Sequence, residues 1–322
     1  MKNSSMCKVV FIGAGYMAGE HLKAFKDLPN VEIAGIYSRT KIRAEKLALE
    51  FSVEFVSDSI EELYVRTKAQ LVIISVNELS VREVCLEAFK YPWACLIEKP
   101  VGYDLPDAEK ILEAAKNQNR QAFVALNRRH YSSTQTVLED IVKQQGKRLI
   151  HVYDQEDPNA ALKAGQPKLV VQNWMYANSI HMVDYLNMLG RGEIIDIVPV
   201  IHWTPECPQF VMAKIYYESG DVGIYEAIWN GPGPWAVTVT TQEKRWEIRP
   251  LEKAAVQFNG SRKLDYVDVN KWDIEFKPGL RAQAGEAVKA VLGEPHKLPS
   301  LDEAMKSMRL VHAIYGGGFH HG

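Results

Sequence analysis

The sequence of 322 residues is poor in cysteine, has no long apolar run and carries almost no net charge. Its four cysteines show none of the two-residue spacings of zinc and redox motifs, so we expect reduced, mostly buried thiols in a cytoplasmic protein. The longest purely apolar runs have five residues, which is far short of a membrane span. With 38 basic against 40 acidic residues, nothing indicates a nucleic acid or a membrane as partner.

What the sequence does contain is typical of a globular chain of about two domains. Apolar residues make up 47% of the chain, which excludes a largely disordered protein. Residues 1–126 alternate short apolar runs with helical patterns, and this alternation predicts a parallel sheet covered by helices on both faces. From about Gly146 to Glu247, strand-like runs joined by short turns predict a mostly antiparallel sheet, and helical patterns return near the end of the chain.

A glycine motif follows the first predicted strand. Residues 13–18 read Gly-Ala-Gly-Tyr-Met-Ala and lead into a helical pattern. The first glycine allows a tight turn, the second lets the backbone approach a pyrophosphate, and the helix N-terminus attracts the anion. We therefore predict a dinucleotide-binding Rossmann domain over residues 1–126, the alternative being a merely structural glycine turn. The predicted dinucleotide contacts here are Gly13, Gly15, Tyr16 and Met17.

The end of the second predicted strand lacks the carboxylate with which NAD enzymes usually hold the ribose 2′-hydroxyl. Ser38 and Arg39 stand there instead, with Arg43 close by. A hydroxyl and guanidinium groups suit a 2′-phosphate, so we predict NADP as the cofactor. NAD is the alternative, in which Arg39 only stacks on adenine at a solvated helix start.

Further motifs follow in an order that resembles one known family. They are His21, Asn77, Glu98-Lys99-Pro100, Asn127-Arg128-Arg129 and His181 with Asp184. The order resembles the Gfo/Idh/MocA family of NAD(P)-dependent sugar and cyclitol oxidoreductases. The resemblance covers most of the chain, and the Glu-Lys-Pro tripeptide after the fifth predicted strand is its most specific part.

The resemblance implies a fold and a set of roles. It implies an α/β protein whose Rossmann domain is followed, over residues 127–322, by an α/β domain with a large, mostly antiparallel sheet for substrate binding and oligomerisation. The last helices are expected to pack back on the first domain. By the same resemblance, Lys99 belongs beside the nicotinamide and the reacting hydroxyl, and His181 at the substrate as an acid/base or binding group. The residues implied to line the nicotinamide side of the cleft are Asn77, Glu98 and Arg128.

The sequence departs from the family pattern at two positions. Ala177 stands where an aspartate often precedes the histidine by four residues, and Ser80 stands where a histidine often follows the asparagine by three. The first departure removes the expected Asp–His pair and leaves the proton acceptor open. The hydroxyl of the neighbouring Tyr176 is a candidate for that role.

The chemistry of Lys99 and His181 indicates a catalytic site even without the family resemblance. Lys99 ends an apolar strand, where parallel sheets place ligands, and its ammonium can stabilise an alkoxide or act as a base. The alternatives are a surface lysine paired with Glu98 and, for His181, a helix-face histidine that points at solvent. Asp184, one turn later, is expected to orient or cap rather than react. No histidine pair has metal-ligand spacing with a carboxylate, so we predict no metal.

Together these features predict an oxidoreductase that transfers hydride between NAD(P) and a ring carbinol or ketone of a sugar, free or nucleotide-activated. A reductase of a non-sugar carbonyl is one alternative. A catalytically inactive NAD(P)-binding regulator is another, which the missing carboxylate at Ala177 keeps open. The strand predicted over residues 222–229 carries apolar side chains on both faces, and this predicts a homodimer or homotetramer that pairs through the sheet.

Overall fold

A computed structural model describes residues 6–317 of the chain, and these fall into two compact units. The described residues up to Asn127, with Trp272–Ala304, form the first unit. The second unit consists of Arg128–Lys271 and the described residues from Met305 onward. Residues from the carboxyl-terminal part of the chain therefore complete the first unit.

The described residues form strands, helices and three shorter turns. The strands are β1 (Cys7–Ile12), β2 (Val31–Tyr37), β3 (Val56–Ser57), β4 (Leu71–Ile74), β5 (Ala94–Ile97), β6 (Ala122–Val124), β7 (Leu149–Glu156), β8 (Ile194–Ile201), β9 (Phe210–Tyr217), β10 (Val222–Trp229), β11 (Ala236–Thr240), β12 (Lys244–Ile248), β13 (Ala254–Phe258) and β14 (Asp265–Tyr266). The helices are α1 (Tyr16–Lys26), α2 (Lys41–Phe51), α3 (Ile60–Thr67), α4 (Val81–Ala88), α5 (Leu105–Asn117), α6 (Ser132–Ile141), α7 (Pro158–Lys163), α8 (Lys168–Gln172), α9 (Ile180–Leu189), α10 (Lys271–Glu275), α11 (Leu280–Val291) and α12 (Leu301–His312). The turns are a 3₁₀ turn, Asn127–His130, and two π-helical turns, Met175–Ser179 and Ala313–Gly317.

The first unit is built on a six-stranded sheet in the order β3-β2-β1-β4-β5-β6, and all its strands run parallel. The strands β4 and β5 are uninterrupted apolar runs buried on both faces, as expected for the middle of such a sheet. The strand order reverses between β1 and β4, and doubly wound sheets bind ligands at the carboxyl ends of the strands at this point. The predicted Rossmann fold is confirmed.

The core of the first unit lies between the sheet and its helices. Phe11 and Phe25 meet edge to face at 6.0 Å between ring centroids. Leu280 and Ala284 of α11 belong to the same buried cluster, so a late segment of the chain supplies part of this core. Side chains cap the start of several helices: Ser59 at α3, Asp104 at α5 and Ser300 at α12 each accept a hydrogen bond from a backbone N–H of the first turn.

The second unit is built on an eight-stranded sheet in the order β14-β13-β12-β11-β7-β10-β9-β8. Neighbouring strands of this sheet run antiparallel to each other, except that β7 and β10 are parallel. This confirms the predicted large, mostly antiparallel sheet. The helix α9 packs on β7 and covers one face, while Ile224 and Ile228 on the other face of β10 are only half-buried.

No helix among residues 6–317 is long and apolar enough to cross a membrane. All four cysteines are free thiols: three are buried and Cys207 is exposed.

Candidate functional site

The carboxyl edge of the parallel sheet gathers the residues predicted from the first half of the chain. Because all the strands of this sheet run the same way, the loops that follow them share one edge. Gly13 and Gly15 follow β1, Ser38 and Arg39 follow β2, Asn77 follows β4, and Glu98 with Lys99 follows β5.

The two glycines of the first loop are needed for different reasons. Gly13 has a φ of +114°, and a Cβ there would lie 1.9 Å from the carbonyl oxygen of Ser75, so the fold itself requires glycine. Gly15 has an extended backbone with φ of −90°, and a Cβ there would meet nothing within 4 Å. It is the N-cap of α1, whose first turn carries no acidic residue. This open space at a helix N-terminus fits a dinucleotide pyrophosphate.

The loop after β2 presents hydroxyl and guanidinium groups and no carboxylate. Arg39 donates a hydrogen bond from Nη2 to the Ser80 hydroxyl at 2.6 Å. The Ser38 hydroxyl accepts a hydrogen bond from the Thr40 backbone at 3.2 Å, and Arg43 is exposed on α2. The serine at position 80, a departure from the family pattern, therefore binds one of the arginines that were predicted to contact a 2′-phosphate.

The side chains of the other residues predicted to contact the cofactor, Tyr16, Met17 and Asn77, differ in their exposure and in their partners. The Tyr16 side chain is exposed, with the Lys277 ammonium 5.7 Å from its ring centroid. Met17 packs against the hydrophobic core of the unit, so any contact with a cofactor falls to its backbone. Asn77 is exposed, and its carbonyl oxygen accepts a hydrogen bond from the Ser80 backbone at 2.9 Å.

The residue before Lys99 is tied into the first unit by a buried histidine. The Glu98 carboxylate lies 2.7 Å from Nε2 of His21, and both side chains are buried. Within the described residues, Nδ1 of His21 is also buried and has no hydrogen-bond partner. The contact joins α1 to the end of β5 and so helps to set the backbone from which Lys99 projects. His21 belongs to the motif order, but the sequence did not predict this role.

In the second unit, His181 and Tyr176 lie close together along the chain. His181 is buried in the first turn of α9, directly after the π-helical turn that holds Tyr176 and Ala177. The Tyr176 hydroxyl lies 2.9 Å from Nδ1 of His312. Single π-helical turns occur frequently at functional sites.

Two buried carboxyl groups support this π-helical turn. Glu156, at the end of β7, accepts hydrogen bonds from the Asn178 amide at 2.9 Å and the Ser179 hydroxyl at 3.0 Å. Asp154, on the same face of β7, accepts one from the Tyr225 hydroxyl at 2.7 Å and is hydrogen-bonded to Glu156. Burial raises the pKa of both carboxyl groups, and the neighbouring charge of Asp154 raises the pKa of Glu156 further. Carboxyl groups therefore lie beside the turn even though position 177 is an alanine.

Aromatic side chains border the same cluster. The Tyr315 hydroxyl lies 2.9 Å from that of Tyr225 and 3.3 Å from the Trp229 indole nitrogen. The rings of Trp203 and Trp229 are 4.3 Å apart between centroids. The structure thus brings together two tryptophans that are far apart in the sequence.

The two adjacent arginines have different partners. Arg129 donates two hydrogen bonds to Asp184, at 2.7 and 2.8 Å, and Asp184 also accepts one from Ser307 at 2.6 Å. Arg128 instead lies over the Trp235 ring and donates from Nη1 to the Met182 sulfur. Asp184 therefore serves an ion pair inside the second unit.

Within the part of the chain that the structure describes, no group of three His, Cys, Asp or Glu side chains is arranged to hold a metal ion.

Residues 7–126 match the family model GFO_IDH_MocA, described as an oxidoreductase family with an NAD-binding Rossmann fold. Over this part of the chain, the match confirms the resemblance that the motifs indicated and the prediction of an NAD(P)-binding oxidoreductase. The matched residues end just before the Asn-Arg-Arg motif.

The chain also resembles individual proteins. It is 23% identical over 297 residues to 4-carboxy-2-hydroxymuconate-6-semialdehyde dehydrogenase of Sphingobium sp. (strain NBRC 103272 / SYK-6), covering 88% of this chain and 90% of that protein. It is 25% identical over 158 residues to glucose-6-phosphate 3-dehydrogenase of Bacillus subtilis (strain 168), covering 49% and 44%. The structure of levoglucosan dehydrogenase in complex with NADH has the same fold, with a TM-score of 0.82, 16% identity and coverage of 98% and 97%.

Several residues of the candidate site escaped the sequence analysis. The signal for Asp154 and Glu156 is present in β7, where they continue the inward positions of Ile150 and Val152. An acidic residue that continues the alternation of two buried apolar residues along a strand is expected to be buried as well. No such local signal marks Trp235 or His312, because their partners come from distant segments.

Proposed function

We propose that this protein transfers hydride between a nicotinamide dinucleotide and a ring carbinol or ketone of a sugar. The open space over Gly15 at the N-terminus of α1 carries the proposal, because neither backbone strain nor packing explains a glycine there. Two of the similar proteins are named as dehydrogenases of glucose 6-phosphate and levoglucosan, which supports a carbohydrate substrate.

The residues of the first unit are proposed to hold the cofactor. The N-terminus of α1 binds the pyrophosphate, and Ser38, Arg39 and Arg43 bind a 2′-phosphate, so that NADP is preferred. Asn77 and Glu98 line the nicotinamide side. When bound, the nicotinamide supplies the hydride acceptor or donor, and the chain supplies orientation and charge.

The proton is proposed to be handled by three side chains. Oxidation of a carbinol removes hydride from carbon and a proton from oxygen. The Lys99 ammonium donates a hydrogen bond to that oxygen and stabilises the developing alkoxide. His181 receives the proton, and the Tyr176 hydroxyl offers a second route, because it can take the proton while it passes its own to Nδ1 of His312. Glu156 acts as a positioning residue, because it holds the turn before His181.

A non-sugar carbonyl substrate is the second candidate. The relative that covers 88% of this chain is named for a carboxylated semialdehyde. Aldehyde and keto-sugar panels, assayed side by side with NADPH, separate the two candidates. A wild-type protein that binds the cofactor and turns over neither panel would support the inactive regulator.

Substitution of Lys99 by Met tests the catalytic assignment. Methionine keeps most of the length and loses the ammonium, so we expect turnover to fall by about two to four powers of ten. Cofactor affinity, measured by fluorescence titration, should be retained. Lys90→Met is the matched control, because Lys90 is an exposed lysine paired with Glu87. A Lys99→Met rate within about threefold of wild type would exclude the lysine from the transition-state contacts.

We also propose that the second unit pairs with another copy through the open face of its sheet. Half-buried Ile224 and Ile228 on β10 share their face, across β9, with exposed Val198 and Ile201 on β8. An apolar sheet face of this kind is normally covered. A homodimer or homotetramer would cover it.

A further inference from the structure

Arg128 is an almost fully buried cation that forms no ion pair with an acidic side chain of residues 6–317. The residue is 9% exposed. Among residues 6–317 it donates one hydrogen bond, from Nη1 to the Met182 sulfur at 2.9 Å, and its guanidinium lies 4.7 Å from the Trp235 ring centroid. No carboxylate of the described residues forms an ion pair with it. A guanidinium keeps its charge in proteins, so burying it without an anion is unfavourable.

Asp154, a buried acid that senses the charge of Arg128, does not fill this role. Burial raises the pKa of the Asp154 carboxyl, and the Arg128 charge opposes that rise, so the two groups act on each other through space. Asp154 nevertheless accepts its hydrogen bond from Tyr225 and is bonded to Glu156. Its lone pairs serve that cluster rather than the guanidinium.

Arg129, in the same unit, has the ion pair with a carboxylate that Arg128 lacks among the described residues. Two of its nitrogens bind both oxygens of Asp184 at 2.7 and 2.8 Å. This bidentate pair is the arrangement that a buried arginine normally adopts. The neighbouring Arg128 has the same guanidinium group, but its only hydrogen-bond acceptor among the described residues is the Met182 sulfur and not a carboxylate.

The surroundings of Arg128 suit recognition of a ligand. No nitrogen of Arg128 is among the buried atoms that lack a partner, so its unused N–H groups reach solvent. The Trp235 indole is held by a hydrogen bond to the Gln155 carbonyl at 2.8 Å, and it is 39% exposed. Met182 is the residue after His181, so the contact with its sulfur places the guanidinium beside the first turn of α9.

We propose that Arg128 and Trp235 form a subsite for an anionic substituent of the substrate, a carboxylate or a phosphate. The proposal rests on the proposed function, since it concerns the substrate of the same site. The guanidinium fork binds two oxygens of the anion, and the indole covers the face of the guanidinium and keeps water from it. The expected substrates are therefore acidic sugars, such as uronates or sugar phosphates.

The test compares matched neutral and anionic ligands on the full chain with NADP bound. D-Glucose is paired with D-glucuronate in one arm and with D-glucose 6-phosphate in the other, and the dissociation constants are measured by calorimetry. We expect one anionic member to bind about ten- to a hundredfold more tightly than glucose. The arm that shows the preference distinguishes a carboxylate from a phosphate. In Arg128→Met the preference should fall below threefold.

A second measurement separates recognition from a structural role. Arg129→Met leaves Asp184 buried without its cation and should lower the Tm by roughly 5 °C or more. Arg128→Met replaces an unpaired cation with an apolar side chain of similar reach, so its Tm should stay within about 2 °C of wild type. An Arg128→Met protein that melts as early as Arg129→Met would overturn the proposal.

Three binding results would also overturn it. In the first, the wild-type protein prefers neither anion over glucose by more than threefold, or binds neither anion. In the second, the preference for the anion persists in Arg128→Met. In the third, Arg128→Met keeps the preference for the anion but loses affinity for NADP. The last result would make Arg128 a cofactor contact. Hydride transfer to neutral sugars with an intact dependence on Lys99 would leave the proposed function standing while this subsite failed.

Discussion

Replacing Gly15 by alanine should abolish tight cofactor binding and leave the fold intact. The substitution adds one methyl group at the N-cap of α1, in a space that contains no protein atom within 4 Å of the new Cβ. The backbone there has a φ of −90°, which alanine adopts without strain. The methyl group would therefore affect only a ligand that approaches the backbone from outside.

The magnitudes follow from these contacts. Alanine restricts the unfolded chain more than glycine does, which adds about 0.4–1 kcal/mol to the stability of the folded state. Alanine is also a poorer N-cap than glycine by about 1 kcal/mol. Because the two effects oppose each other, the free energy of unfolding should change by at most about 1 kcal/mol. On the ligand side, the methyl group displaces the pyrophosphate from one or two charge-assisted hydrogen bonds. That loss amounts to about 2–4 kcal/mol, or a rise of about 30- to 700-fold in the Kd for NADPH.

The assay is a fluorescence titration with NADPH, combined with thermal melts of each variant. Gly19→Ala is the control on the same helix, because its new Cβ would lie 3.6 Å from the Leu47 side chain, an ordinary contact. It should keep the wild-type affinity and gain up to about 1 kcal/mol from helix propensity. Gly15→Ala protein that folds and binds NADPH within threefold of wild type would refute the assignment of this space to the cofactor.

Three further outcomes are expected. NADPH should bind more tightly than NADH, because Ser38, Arg39 and Arg43 offer hydrogen bonds and positive charge to a 2′-phosphate; titration of both cofactors checks this, and equal or tighter binding of NADH contradicts it. Burial raises the pKa of Glu156, so the folded protein keeps a proton on this carboxyl group that the unfolded chain releases above about pH 4.3. The stability of the wild-type protein should therefore fall as the pH rises above about 4.3. Glu156→Gln should lose that part of the slope in melts from pH 4 to 8, and parallel Tm profiles of the two proteins would show that the carboxyl ionises normally. Light scattering at micromolar concentration should find a dimer or a tetramer, and a monomer would contradict pairing through the sheet.

The parallel half of the fold was predictable because its signals are local. The glycine motif, the apolar runs of β4 and β5 and the helical patterns between strands each depend on a short stretch of sequence. The match of residues 7–126 to the family agrees with that prediction.

The second unit was harder to predict, since many of its elements are short or polar. Strand β12 reads Lys-Arg-Trp-Glu-Ile and buries only Trp246 and Ile248, which is too short an alternation to stand out from a loop. The sequence also gave no sign that β7 and β10 are parallel neighbours, because pairing between strands so far apart is decided by packing. The π-helical turn before α9 likewise has no recognised sequence signal.

By itself, the sequence determined the dinucleotide-binding fold and the residue types that meet at the carboxyl edge of its sheet, where we propose that the ligand binds. Backbone conformation and hydrophobic periodicity are properties of neighbouring residues, and this is why they can be read directly. Partners of buried polar groups are not local: His21 meets Glu98 across 77 positions and Asp154 meets Tyr225 across 71. Arg128 and Arg129 are the same residue type side by side, yet among the described residues only Arg129 forms an ion pair with a carboxylate. The tertiary structure alone decided that difference, because an arginine's role depends on which distant side chains the fold brings to it.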